Sequence, residues 1–121
     1  MAITLSVRQP WAWLIIAGHK DIENREWRTN HCGPLVIHAG VTPAPEEDIA
    51  FVKSRYGIRV PKSALLYGGI IGVVDLVECV TVHKSRWFDG RPYFGWVLAN
   101  PRPLEFTRWR GMPGLFHTSS P

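Results

Sequence analysis

The chain has 121 residues, 45% of them hydrophobic and 20% charged, with a formal net charge of +4 and a sequence pI near 9.4. These values fit one globular domain over 1–121 with a core of its own, and exclude a low-complexity or charge-dominated disordered chain. No apolar run approaches the ~20 residues of a membrane span, and MAITLSVRQ lacks the basic and apolar regions of a signal peptide, so the expected location is the cytoplasm.

Ile3 to Arg8 alternates apolar Ile3, Leu5 and Val7 with Thr4, Ser6 and Arg8, the pattern of a half-buried strand. A short helix is predicted from Pro10 to Ala17. Proline suits the first helical position, where its missing N–H is not needed, and Gly18 suits the left-handed residue that ends a helix. Trp11, Trp13, Leu14, Ile15 and Ile16 cover every side of these two turns, so packing must hold them. Beyond Gly18 the chain turns abruptly charged. In an extended conformation Glu23, Arg25 and Trp27 share one face, and Ile22, Asn24 and Glu26 share the other.

Pro34 to Ala39 is predicted as a strand with Leu35 and Ile37 opposite Val36 and His38. Thr42-Pro43 is expected to open a second helix. Its first turns are acidic (Glu46, Glu47, Asp48), its end is basic (Lys53, Arg55), and Gly57 stops it, a charge order that complements the helix dipole. Ile49, Val52 and Tyr56 make its buried stripe, so this helix is expected to serve packing. A loop with one helical turn fills Val60 to Tyr67. Gly68 to Val82 is predicted as the longest strand, able to bend at Gly72, with Asp75 and Glu78 seeking arginine partners. Pro92 to Ala99 is the last predicted strand, followed by an extended exit at Pro101 and Pro103. The polar end, from about 117 to 121, is expected to be a disordered tail.

Cys32 and Cys79 lack metal-ligand spacing and are expected as thiols in a reducing compartment. His19, His31, His83 and His117 are too scattered for a metal site, so neither metal nor cofactor is predicted. The positive charge favours polyanionic partners, and Trp27, Trp87 and Trp109 each lie beside arginine, which joins stacking faces to phosphate-binding groups.

Gly18, Lys20, Glu23 and Arg25 fit the pattern G-x-K-x-x-E-x-R, preceded by LSVRQPWA at 5–12. With GPLVIHAG at 33–40, GGIIGVVDLVECV at 68–80 and FGWVLANPRPL at 94–104, the chain resembles the ASCH domain family, relatives of the PUA RNA-binding fold. The resemblance implies an α+β fold: a twisted, mostly antiparallel barrel of five or six strands flanked by two or three helices. It implies a basic cleft beside the first helix that takes RNA or a modified nucleoside. Lys20 and Arg25 would meet phosphate, Arg8 and Gln9 lie at the helix mouth, and Gln9 would read a base edge. Trp11 or Trp27 would stack on it.

His38, a lone histidine at a strand end, is either a ligand contact or a hydrogen-bonded structural residue. Arg8 either meets an anion or pairs with Glu23. Some ASCH proteins cleave acetylated cytidine nucleosides or RNA, which would cast Lys20 and Glu23 as catalytic groups of a hydrolase. The smallest amidohydrolase members carry threonine where this chain has Glu23, so the nucleophile proposed for them is missing here.

Overall fold

The computed structural model describes residues 2–119. In chain order it contains β1 (Ala2–Val7), α1 (Trp11–Ile16), β2 (Ile22–Arg25), β3 (Gly33–Ala39), α2 (Glu46–Tyr56), a single 3-10 turn (Lys62–Ala64), β4 (Gly69–Val80), β5 (Phe94–Arg108) and β6 (Leu115–Thr118). The strands form one sheet in the order β2-β5-β4-β3-β1-β6, antiparallel except for the β1–β3 pair. The fold is therefore mixed α+β with six strands and two α-helices. Among the described residues no backbone pairing joins β2 to β6, so the ladder stays open and does not close as the barrel that the resemblance implies. The sheet still curls. The Arg25 guanidinium on β2 donates from Nη2 to the Ser6 carbonyl on β1 at 2.9 Å, across strands that stand four places apart in the order.

The all-round hydrophobicity of α1 is explained by its position between two cores. Ala12 and Ile15 join Leu5, Leu35, Ile37, Leu76, Trp96 and Leu98 inside the curl. Leu14 joins Ile22, Val52, Val60, Leu65 and Trp87 on the α2 side, and Trp11 packs against both clusters. Each fully buried aliphatic of α1 contributes about 1.5–3 kcal/mol relative to exposure, which six helical residues could not supply by propensity. Gly72 lets α1 approach β4: a Cβ there would lie 2.6 Å from Ile16 Cδ1 and 2.7 Å from the Arg102 carbonyl.

Several boundaries differ from expectation. Pro10 stands just before α1 rather than inside it. Helix α2 begins at Glu46 instead of near Pro43, because Pro45 holds its predecessor out of the helical region and itself sits extended at ψ 139°. The longest strand is β5, not β4. It continues through Pro101 and Pro103 to Arg108, since β2 pairs only with residues 94–97 and leaves the later half as an edge, where proline removes no ladder bond. Three register shifts against β4 absorb the irregularity, and Asn100 takes a positive φ of 50°. His117 and Thr118, expected in a disordered tail, belong to β6 and pair with Ile3 and Ala2; Ser120 and Pro121 lie outside the described residues. Cys32 and Cys79 are free. No helix among the described residues is long and apolar enough to cross a membrane.

Asp75 finds the partners anticipated for it, accepting from Asn100 Nδ2 at 3.0 Å and from Arg102 Nη2 at 3.2 Å. The Asn100 amide, and then Arg102, hold its carboxyl below the ordinary 3.8. A depressed folded pKa favours the native state above the unfolded value, and that contribution disappears as pH falls through the folded one. Asp75→Asn should therefore remove that contribution at neutrality and, with no carboxyl left to titrate, flatten the acid side of the stability curve below pH 3.8, as read from urea midpoints across pH. An unchanged acid slope would show that the pair carries no linkage. Glu78 is exposed and needs no partner.

Candidate functional site

The end of α1 sets the site. Gly18, at φ +90°, donates to Ile15 O, and His19 donates to Leu14 O, the paired bonds of a Schellman cap. Lys20 N–H also donates to Leu14 O, so the cap fixes where the Lys20 side chain starts. That side chain is 6% exposed; its ammonium donates to the Ile22 carbonyl and, at 3.3 Å, to Glu23 Oε1. Arg25 Nε donates to Glu23 Oε2 at 2.8 Å, so both oxygens of a side chain only 9% exposed are held by cations. An ammonium has three donors, and one of those on Lys20 has no partner among the described residues.

These groups line a cleft of about 900 Å³. Arg8, Trp11, Lys20, Glu23, Arg25 and Trp27 all contribute to it, so six of the eight residues singled out in the sequence stand around one space. Arg8 is exposed and forms no ion pair among the described residues, which removes the expected alternative of a bond to Glu23. Trp27 is 38% exposed and stands edge-on to the buried Trp96, with ring centroids 4.8 Å apart.

The other two lie elsewhere. Gln9 is 2% exposed, and both ends of its amide are used: Oε1 accepts from Trp13 N–H at 2.9 Å and Nε2 donates to Leu66 O at 2.9 Å. It satisfies an orphan N–H of α1, and its burial leaves a base no accessible edge. His38 is 1% exposed on β3. Its Nε2–H donates to the Trp109 carbonyl at 2.6 Å, so in the neutral ring Nδ1 accepts from the Ser6 hydroxyl at 2.9 Å. Both residues are structural.

Of the far wall, the sequence pointed only to Trp87, as a stacking face beside arginine. Asp48, Phe51 and Tyr56 of α2 and Trp87, Asp89 and Tyr93 of the segment between β4 and β5 complete the cleft, so α2 does more than pack. Phe51 was the available signal: a large aromatic, 50% exposed, one position off the buried Val52 stripe. Tyr56 stacks on Trp87 at 3.8 Å, with Arg86 5.2 Å from the Tyr56 ring and Arg55 5.4 Å from it. Burial pushes the Tyr56 hydroxyl above 10.0; Asp89 adds to the rise, while Arg55 and Arg86 oppose it. It is a neutral donor at physiological pH. Asn24 ties this wall to β2, donating to Trp87 O at 2.9 Å and accepting from Asp89 N–H at 3.0 Å.

The expected basic cleft is in fact mixed in charge. Arg8, Lys20 and Arg25 face Glu23, Glu26, Asp48 and Asp89, and the arginines that remain near it stand over its aromatic walls. Among the described residues no cluster of His, Cys, Asp and Glu has the makings of a metal site.

A family model described as ASCH domain matches residues 5–108, which include every motif residue and every residue that lines the cleft. The chain belongs to the ASCH domain family. Activating signal cointegrator 1 of Homo sapiens is 33% identical over 87 residues, covering 68% of this chain and 15% of that protein. The Mus musculus protein of the same name is 36% identical over 83 residues, 64% of this chain and 14% of its own length. The chain thus spans about 15% of the curated relatives it matches. Within this ASCH domain, the Gly18-to-Arg25 pattern is a helix cap followed by a buried lysine–glutamate pair, bridged to the half-buried Arg25, at the floor of an aromatic cleft.

Proposed function

We propose that this ASCH domain binds RNA by drawing a single nucleobase or modified nucleoside into the cleft while the flanking backbone rests on the arginine-bearing rim. The observation that carries this reading is the cleft itself: about 900 Å³, walled by Trp11, Trp27, Trp87 and Tyr56, with the ammonium of Lys20 at its floor. Such a volume suits one nucleoside, and each base stacked on an aromatic face is worth about 1–3 kcal/mol. The mixed interior favours a base with donors and acceptors over a phosphodiester. Arg8, Arg55 and Arg86, exposed and free of ion pairs among the described residues, suit phosphates outside.

The test is titration of the protein with a panel of modified nucleosides and short single-stranded RNAs at several salt concentrations. RNA affinity should fall with salt at about 0.7 per phosphate contact in the log–log slope, or about 1.4 to 2.8 for two to four contacts. A slope of zero with retained affinity would leave recognition of a nucleoside without its backbone, and no binding across the panel would end the proposal.

The hydrolase reading is supported by the 3.3 Å approach of Lys20 to Glu23, but Glu23 is already engaged at both oxygens and suits positioning better than proton transfer. The same titrations, followed for product, decide it. Turnover that collapses in Lys20→Arg with binding preserved would favour catalysis, because guanidinium does not give up its proton.

A further inference from the structure

Within the nucleic-acid reading, on which this inference rests, the distribution of charge in the cleft narrows the kind of base it takes. The floor carries net positive charge, and carboxylates unpaired among the described residues line the cleft away from it. At the floor Lys20 and Arg25 enclose Glu23, a group with one net positive charge. Glu26, Asp48 and Asp89 also line the cleft, and none of the three forms an ion pair among the described residues. Asp48 has a role without a ligand, since it lies in the first turn of α2 and complements the helix dipole. Asp89 has no such role. Its backbone is pinned by the Asn24 side chain, and its carboxylate is near enough to Tyr56 to raise the pKa of that hydroxyl.

Between these carboxylates stand aromatic faces, whose quadrupoles also attract positive charge. The wall already accepts one cation: the Arg86 guanidinium lies 5.2 Å from the Tyr56 ring and 5.6 Å from the Trp87 ring. A neutral base would gain only stacking here. A base that is itself a cation gains stacking, cation–π attraction and a carboxylate partner, while its phosphate stays on the arginine-bearing rim.

We propose that the preferred ligand of this cleft is a positively charged nucleobase, such as one made cationic by N-methylation of a ring nitrogen, with Asp89 and Glu26 as the carboxylates that select it.

The experiment compares two short single-stranded RNAs that differ at one central residue. One carries 1-methyladenosine, a cation at neutral pH, and the other its neutral isomer N6-methyladenosine. Anisotropy titrations should give about tenfold tighter binding to the cationic RNA, the scale of one desolvated cation–π contact with a nearby carboxylate. In the Asp89→Asn/Glu26→Gln double variant the preference, read as the ratio of the two affinities, should shrink to about twofold or less, since the loss of two carboxylates changes the attraction of both RNA backbones alike. Both side chains are exposed, and an unchanged melting temperature confirms that the variant is folded. Equal affinity for the two isomers would overturn the selection by charge and leave the RNA reading intact. A preference that survives the double variant would overturn the assignment to these carboxylates. Failure to bind either RNA would overturn this inference together with the reading beneath it.

Discussion

Glu23→Ala is expected to destabilise the domain by about 3–5 kcal/mol, the cost of leaving a buried charge without its partner. The Lys20 and Glu23 side chains are only 6% and 9% exposed, and Lys20 has just the Ile22 carbonyl as a second anchor. Without the carboxylate the ammonium must stay buried with one partner or swing out and disrupt the cap at Gly18. Arg25 is better placed, because at 24% exposure it reaches water and keeps its bond to Ser6 O. Lys20→Met combined with Glu23→Leu should recover much of the loss, since well-packed apolar residues often replace buried pairs without penalty. Urea unfolding of these two variants beside wild type measures the loss and its recovery. A loss under about 1 kcal/mol in Glu23→Ala would mean that the pair behaves as a surface salt bridge.

Trp96→Ala should cost a similar amount, about 3–5 kcal/mol, by the cavity that a deleted core tryptophan leaves. Trp96 is fully buried on β5, where it packs among Leu5, Ile15, Leu35 and Leu76. Its effect extends to the cleft, because Trp27 stands edge-on to its ring and the Trp96 indole N–H donates to the Trp27 carbonyl at 3.3 Å. Trp96→Phe is therefore the informative companion: it retains most of the volume and loses the N–H, so ligand affinity should drop while stability falls by less. Equal affinity in Trp96→Phe and wild type would show that Trp27 holds its place without that bond.

The features legible in the sequence were those encoded locally. Pro10 and Gly18 bracket α1 to within a residue, because a proline and a left-handed glycine constrain the backbone wherever the rest of the chain lies. The alternation in Ile3 to Val7 and in Leu35 to His38 gave two strands, but not that they run parallel, which depends on how the chain returns after α1 and β2. Prolines 101 and 103 read as an exit because a proline argues against a central strand, and only the tertiary fact that β2 is four residues long makes that half of β5 an edge. Gln9 and His38 had the chemistry of ligand contacts. The Trp13 N–H and the Trp109 carbonyl, one set by helix geometry and the other 71 residues distant, claim that chemistry for the fold. Similarly, the spacing that made Ile49, Val52 and Tyr56 a stripe says which side of α2 is buried. It does not say that Asp48 and Phe51 border an opening.

The pairing of β1 with β6 has a topological consequence. Ala2 lies opposite Thr118, so the two ends of the described chain meet as neighbours in adjacent strands, about 4.5–5.5 Å apart at Cα. A domain built this way attaches through a single stalk. It can be spliced into an exposed loop of a host protein, or lifted out of one, leaving a gap no wider than one strand spacing, and the cleft then hangs clear of the host, joined to it only where β1 and β6 meet.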